Sequence, residues 1–377
     1  MRAALCCFLL PPLLAASPPF RVIGRSCGSS DSSGYVSIGW PLSGIGFEIS
    51  AGGEPAEFTV NISLPPIEWY DAKGLLEDGV RLGVFVGSDK VAEVLVTPRD
   101  ASPARAFAVP ASPGGAPSRV RVLRLSEDLY AGGGGNAVRI GGLSSERALG
   151  PLPPVPKVLF VGDSDTAGFG IHSHPYDPAC LNPYNLWSSV GDASLSWAAQ
   201  LAGLMGVEPT VTAVSGVGIE EAYGNKPWAA YRDGACPFDA EEWDYDAEMA
   251  PEKVVILLGP NDCGKSNGNV CPDGWAEQYA ETLQHYADAY GPGSGELFSV
   301  VGGSSSGWNP ALVEALGNAT DAYNAGVGEG GKRARVIELS KDVWDEINDH
   351  ANGFNGCFGH YNEKGHAKVA QDLIGQF

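Results

Sequence analysis

The sequence predicts two folded parts in series: an all-β sandwich, then a three-layer α/β/α unit built on a parallel sheet. Three observations carry this. Before Leu149, short apolar and β-branched segments recur between turn clusters, and none has the length and period of a helix. Leu149–Pro156 then holds four prolines, which stiffen a connecting segment. After it, apolar runs alternate with helical stretches, the pattern of a parallel sheet covered on both faces. The expected division is a β-sandwich over residues 27–150, a proline-rich linker over 151–156 and the α/β part over 157–377.

In the first part the expected strands include Glu57–Ser63, Val80–Val86, Lys90–Thr97, Ala106–Val109, Val120–Leu125 and Ala137–Ile140. Ala111–Ser118 and Gly132–Asn136 read as loops from their small and glycine-rich composition. In the second part the strands are Lys157–Val161, Thr210–Val214, Lys253–Leu258, Leu297–Val301 and Arg335–Leu339. Helical period marks Ala193–Met205, Trp275–Tyr290, Pro310–Gly326 and Glu363–Ile374, the last with Asn362 placed as its N-cap.

Of 377 residues, 44% are apolar and 18% charged, so both parts can bury cores. The net charge of -21 disfavours nucleic acid and anionic membrane surfaces, whose phosphates need a basic counter-surface. It suits a neutral partner such as a polysaccharide.

Residues 1–17 read as a secretory signal, with Arg2 followed by a short apolar core and small residues at Ala15, Ala16 and Ser17. An extracellular location is therefore expected. The six later cysteines, Cys27, Cys180, Cys236, Cys263, Cys271 and Cys357, then imply up to three disulfides, with Cys263–Cys271 the best pair by proximity. No CxxC occurs, and no metal or organic cofactor is expected.

In open α/β sheets, ligands bind beyond the carboxyl ends of the strands. There the sequence places Gly162-Asp163-Ser164, Ser215-Gly216 and Gly259-Pro260-Asn261-Asp262, with His360 just before the last helix. A serine hydroxyl needs a base within hydrogen-bond reach, and histidine is suited to that. The tetrahedral intermediate needs fixed donors, which the Ser164 and Gly216 N–H groups and the Asn261 amide can supply. Catalytic Ser164 and His360, with an oxyanion hole of Ser164, Gly216 and Asn261, are therefore expected.

These four ordered elements resemble the SGNH (GDSL-type) hydrolases. The likeness narrows with Val120–Glu127, the proline linker, Val161–Gly170 and Gly356–His366, which together resemble carbohydrate esterase family 2. That resemblance implies an N-terminal jelly-roll-like domain, a C-terminal SGNH domain and deacetylation of polysaccharides. The chain departs from the family at Asp165, where an apolar residue is usual, and at Tyr361, which replaces a proline. Many relatives carry an aspartate three or two residues before the histidine; here those positions are Cys357 and Phe358. A Ser–His dyad is expected, its ring held by a backbone carbonyl or a neutral side chain.

Other readings compete. His366 lies inside the final helix, where a structural histidine is the ordinary explanation. Gly218 rivals Gly216, and Ser305 in Gly303–Gly307 formally matches G-x-S-x-G but lies several residues before its helix. Trp308 is the first choice for a sugar contact, since aromatic faces stack on sugar rings. No site residue is assigned to the β part. The expected function is deacylation of a polysaccharide by a secreted serine esterase. The alternatives are a sugar O-acetyltransferase, a lipid or short-chain esterase, and a non-catalytic glycan-binding protein.

Overall fold

A computed structural model describes residues 18–28, 34–64, 79–100, 103–127, 137–172, 180, 187–220, 222–223, 225–238, 241–245, 250–264, 268–291, 295–304, 309–348 and 352–377. Residues 1–17, expected as a signal, Ser305 and Trp308 lie outside the described residues.

Among the described residues, ten strands form the first part: β1 Arg21–Ile23, β2 Tyr35–Ile38, β3 Gly44–Ile49, β4 Ala56–Ser63, β5 Val80–Val86, β6 Asp89–Val96, β7 Ala104–Val109, β8 Ser118–Arg124, β9 Val138–Ser145 and β10 Leu149–Pro151. They make two antiparallel sheets. One runs β1-β3-β8-β5-β6, with β10 also on β3; the other runs β2-β9-β4-β7. Strand β4 shows why they face each other: Phe58, Val60 and Ile62 are buried, while the intervening Thr59 and Asn61 are not. These residues meet Ile45, Phe47, Leu82, Val84, Val120 and Val122 in one core.

Strands β1, β2 and β3 were not among the expected segments. Gly44 and Gly46 dilute the apolar pattern of β3, yet close packing requires them, because a Cβ on Gly44 would lie 2.0 Å from the Val122 carbonyl oxygen. Leu149–Pro151, expected as the start of the stiff connection, instead pairs with Phe47–Ile49. As an edge strand beside β1, it accommodates Pro151 without losing a needed N–H.

The second part carries a five-stranded parallel sheet, β11 Lys157–Gly162, β12 Glu208–Ala213, β13 Lys253–Leu257, β14 Glu296–Val301 and β15 Ala334–Glu338, in the order β12-β11-β13-β14-β15. Its helices are α1 Ser164–Ala167, α2 Trp187–Val190, α3 Trp197–Met205, α4 Pro260–Cys263, α5 Trp275–Tyr290, α6 Pro310–Gly326, α7 Lys341–Asn348 and α8 Glu363–Leu373. Helix α8 packs on α3 and α7, and α5 packs on α6, giving a helical layer on each face of the sheet. The helical run expected from Ala193 breaks at Ser196, whose side chain caps α3 through the Ala199 N–H. Asn309 caps α6 and Asn362 caps α8, the latter accepting from Lys364 and Gly365.

The two parts share one body. Trp40, Leu42, Phe85, Leu123 and Leu125 of the β part join the core of the α/β part. Trp40 donates from Nε1 to the Ala235 carbonyl at 2.9 Å, and a disulfide joins Cys27 to Cys236. The buried Arg25 donates to the Arg232 carbonyl at 2.6 Å. Two further disulfides join Cys180 to Cys357 and Cys263 to Cys271, the second being the pair expected from spacing.

Candidate active site

The sheet order reverses at β11, which pairs with β12 on one side and β13 on the other. At such a switch point the connections leave in opposite directions and open a crevice beyond the strand ends. Ser164 stands there, two residues past the end of β11, at the first position of α1. The turn is tight: a Cβ on Gly162 would lie 2.0 Å from Thr166 Oγ1, which explains the glycine. Asp163 caps α1 by accepting the Asp165 N–H at 3.1 Å. The helix is a single turn, closed by left-handed Gly168 with φ 75°.

His360 enters from the last loop. Its Nε2 lies 2.7 Å from Ser164 Oγ, and its Nδ1 lies 3.0 Å from the Cys357 carbonyl oxygen. A carbonyl only accepts, so Nδ1 carries the proton and Nε2 presents its lone pair to the serine hydroxyl. The loop is fixed on several sides. The Cys357 N–H donates to the Gly170 carbonyl at 3.1 Å, which joins the histidine loop to the chain just beyond Ser164. The ring packs edge-on against Phe169 at 5.1 Å, and Phe358 stacks on the same phenylalanine at 5.9 Å.

Gly216 has φ 75°, a left-handed backbone that favours glycine. Asn225 Nδ2 donates to the Ser215 carbonyl at 3.0 Å and would sit 2.9 Å from a Cβ on Gly216. Among the described residues, no hydrogen-bond acceptor is found for the Ser164 or Gly216 N–H. Gly218 has a packing role instead: a Cβ there would lie 2.2 Å from Asp262 Oδ1, and that carboxylate accepts the Ile219 and Glu220 N–H groups.

Asn261 is buried in α4 and reaches the same corner. Its Nδ2 donates to the Val217 carbonyl at 2.8 Å and to Asp163 Oδ2 at 3.1 Å. Burial, reinforced by the neighbouring Asp165 carboxyl, pushes the Asp163 pKa well above the usual carboxylate range.

His366 is fully buried and accepts the Trp197 N–H at Nδ1, 3.1 Å away. Burial lowers its pKa to about 4, so it stays neutral and holds the start of α3. Asp165 is buried and accepts both the N–H and hydroxyl of Ser304. It thereby ties the residue just before Ser305 to the turn that carries Ser164. Two contacts escaped sequence reasoning: the Glu127 carboxylate on Ser215 and the Asn225 amide on the same residue. Glu127 lay within the stretch that carried the family resemblance, but no local pattern pairs it with a serine 88 positions away. Among the described residues, no group of three or more His, Cys, Asp or Glu side chains is arranged to hold a metal ion.

A switch-point serine facing a histidine, on a parallel sheet joined to an antiparallel sandwich, defines a serine ester hydrolase of SGNH type. The family profile described as GDSL-like Lipase/Acylhydrolase matches residues 158–373, more than half of the sequence, and the chain belongs to that family.

Solved structures show the same two-part fold along nearly the whole chain. A family two carbohydrate esterase from Clostridium thermocellum, in complex with cellohexaose, superposes with a TM-score of 0.71 at 17% identity, covering 95% of this chain and 97% of that one. A carbohydrate esterase family 2 enzyme from Corynascus thermopiles (Myceliophthora fergusii) gives 0.69 at 18% identity, covering 95% and 98%. An acetyl xylan esterase from Butyrivibrio proteoclasticus gives 0.68 at 13% identity, covering 96% and 95%. No protein of curated function matches the chain.

Proposed function

We propose that the protein is a secreted carbohydrate esterase that removes acetyl or other short acyl groups from a polysaccharide through an acyl-enzyme on Ser164. The observation that carries this is the 2.7 Å contact between Ser164 Oγ and His360 Nε2, with Nδ1 anchored on a carbonyl.

In this reading Ser164 Oγ attacks the ester carbonyl carbon while its proton passes to Nε2. The carbonyl oxygen becomes an oxyanion facing the Ser164 and Gly216 N–H groups. Asn261 Nδ2 joins them by turning one N–H from the Val217 carbonyl. The C–O bond to the sugar breaks, and Nε2 returns its proton to the leaving oxygen. Water then repeats the sequence and frees the acid. The Cys357 carbonyl fixes the ring and, through its dipole, favours the imidazolium formed in each step.

A neutral glycan suits the charge of -21. The superposed structures include one in complex with cellohexaose and one described as an acetyl xylan esterase, which supports the same substrate class. Secretion is supported by three disulfides, which persist in oxidising compartments. Among the described residues no helix is long and apolar enough to cross a membrane.

The test is acetate release from a panel of acetylated xylans, mannans and cellulose oligomers, with ethyl acetate as the small ester. Wild type is expected to release acetate from at least one glycan, and Ser164→Ala and His360→Ala to abolish it. Turnover that survives Ser164→Ala refutes the reading. Acetyl appearing on an added sugar in place of free acetate would assign a transferase.

A further inference from the structure

The oxyanion side of the site is held from the other half of the molecule. Glu127 follows β8 of the sandwich and is 7% exposed. Its Oε2 accepts the Ser215 N–H at 2.9 Å, and its Oε1 accepts the Ser215 hydroxyl at 2.5 Å. With Asn225 on the Ser215 carbonyl, three polar groups of Ser215 are engaged immediately before Gly216. The peptide that carries the Gly216 N–H therefore cannot rotate without breaking the Asn225 hydrogen bond to the Ser215 carbonyl.

Glu127 is itself anchored. The Arg124 guanidinium, fully buried, donates to the carbonyls of Ser126 at 2.8 Å and Glu127 at 2.9 Å. The Leu125 carbonyl accepts the Ala193 N–H at 2.8 Å. Burying a carboxylate is costly, and charge-assisted hydrogen bonds are what offset it. A turn needing only a cap would be served by a neutral Asn or Ser at lower cost. A charged group spanning the two parts and ending on the residue before Gly216 is explained by a need for fixed geometry there.

We propose that Glu127 is a positioning residue for the ester hydrolysis. Acting through Ser215, it aims the Gly216 N–H at the developing oxyanion and makes the β-sandwich part of the catalytic apparatus. This inference rests on the proposed function, and its test separates the two.

The full chain and its Glu127→Ala, Glu127→Gln and Ser215→Ala variants are assayed on 4-nitrophenyl acetate. Each is also titrated with an alkyl boronic acid, which bonds to the serine oxygen and mimics the tetrahedral intermediate. Glu127→Ala is expected to lower kcat roughly 10²-fold, the scale of a lost oxyanion donor, with KM changed only a few-fold. Boronate affinity falls in parallel. Glu127→Gln recovers part of both, since its amide can accept the Ser215 N–H and donate to the hydroxyl. Ser215→Ala, which keeps the N–H contact, shows a smaller loss of the same kind.

If Glu127→Ala does not fold, Glu127→Gln and Ser215→Ala decide by the same two readouts. Unchanged kcat and boronate affinity overturn the inference, as does a loss confined to melting temperature. Should Ser164→Ala retain turnover, the proposed function fails; should Ser164 be essential while Glu127 and Ser215 are dispensable, only this inference fails.

Discussion

His360 Nδ1 lies 3.0 Å from the carbonyl oxygen of Cys357, and Cys357 is disulfide-bonded to Cys180, 177 residues earlier in the chain. The atom that orients the imidazole is thus a backbone oxygen, and its position depends on a covalent cross-link. A carbonyl dipole supplies less than a carboxylate to the imidazolium, so its placement has to be maintained by the surrounding loop. Cys180→Ala is expected to lower kcat by about 10-fold, a fraction of the loss that follows removal of a triad acid. Stability is expected to fall by about 2–4 kcal/mol, the usual contribution of a native disulfide. Ester turnover and urea midpoints check both. Native kcat in the variant would show that the loop holds itself.

Buried His366 sets an acid limit on stability. Its pKa is about 4 in the fold against 6.5 for a free side chain, so the fold favours the neutral form. The contribution is complete above about pH 6.5 and is lost as pH falls toward 4, amounting to about 3 kcal/mol. Urea midpoints at pH 7.5 and 4.5 should converge in His366→Gln relative to wild type. An unaltered difference between the two pH values would place the acid sensitivity at a group other than His366.

Gly216→Ala tests the proposed oxyanion hole directly. The new Cβ would meet Asn225 Nδ2 at 2.9 Å and would occupy a left-handed backbone with φ 75°. The strain is about 1–2 kcal/mol. Relief by rotating the peptide would misdirect the N–H, lowering kcat roughly 10²-fold with little change in KM. A variant with wild-type kcat would remove Gly216 from the oxyanion hole.

Asp163 joins the α1 cap to Asn261, accepting from Asp165 on one oxygen and from Asn261 on the other. Asp163→Asn has one acceptor oxygen, so one of these contacts is lost. Stability at neutral pH should change by about 1 kcal/mol, and kcat should fall as Asn261 shifts. The pH dependence carries a second signature. A carboxyl whose folded pKa is raised loses stability as pH climbs from about 3.9 through the folded value, and the amide variant lacks that decline. Stability curves of the two proteins that run parallel with pH would mean that Asp163 is ionised in the fold.

The sequence by itself determined the order of the architecture and which residue types stand at the strand ends. Apolar runs of parallel strands, the helical period of Trp275–Tyr290 and the caps Asn309 and Asn362 are local properties, readable from a few consecutive residues. Ser164, Gly216 and Asn261 could be picked out as candidates because a parallel sheet brings its carboxyl edge together whatever the details of packing, and His360 because it precedes the last helix. The missed strands β1, β2 and β3 are short or glycine-bearing, and their identity depends on partners far along the chain. Only the tertiary structure decided what faces the site residues: the Cys357 carbonyl behind His360, the Cys180–Cys357 link, the Asp163–Asn261 contact and the Glu127 carboxylate on Ser215. Each is a pairwise contact between distant segments, fixed by the packing of two sheets and their loops against each other. A periodicity or motif in one segment carries no information about such a distance.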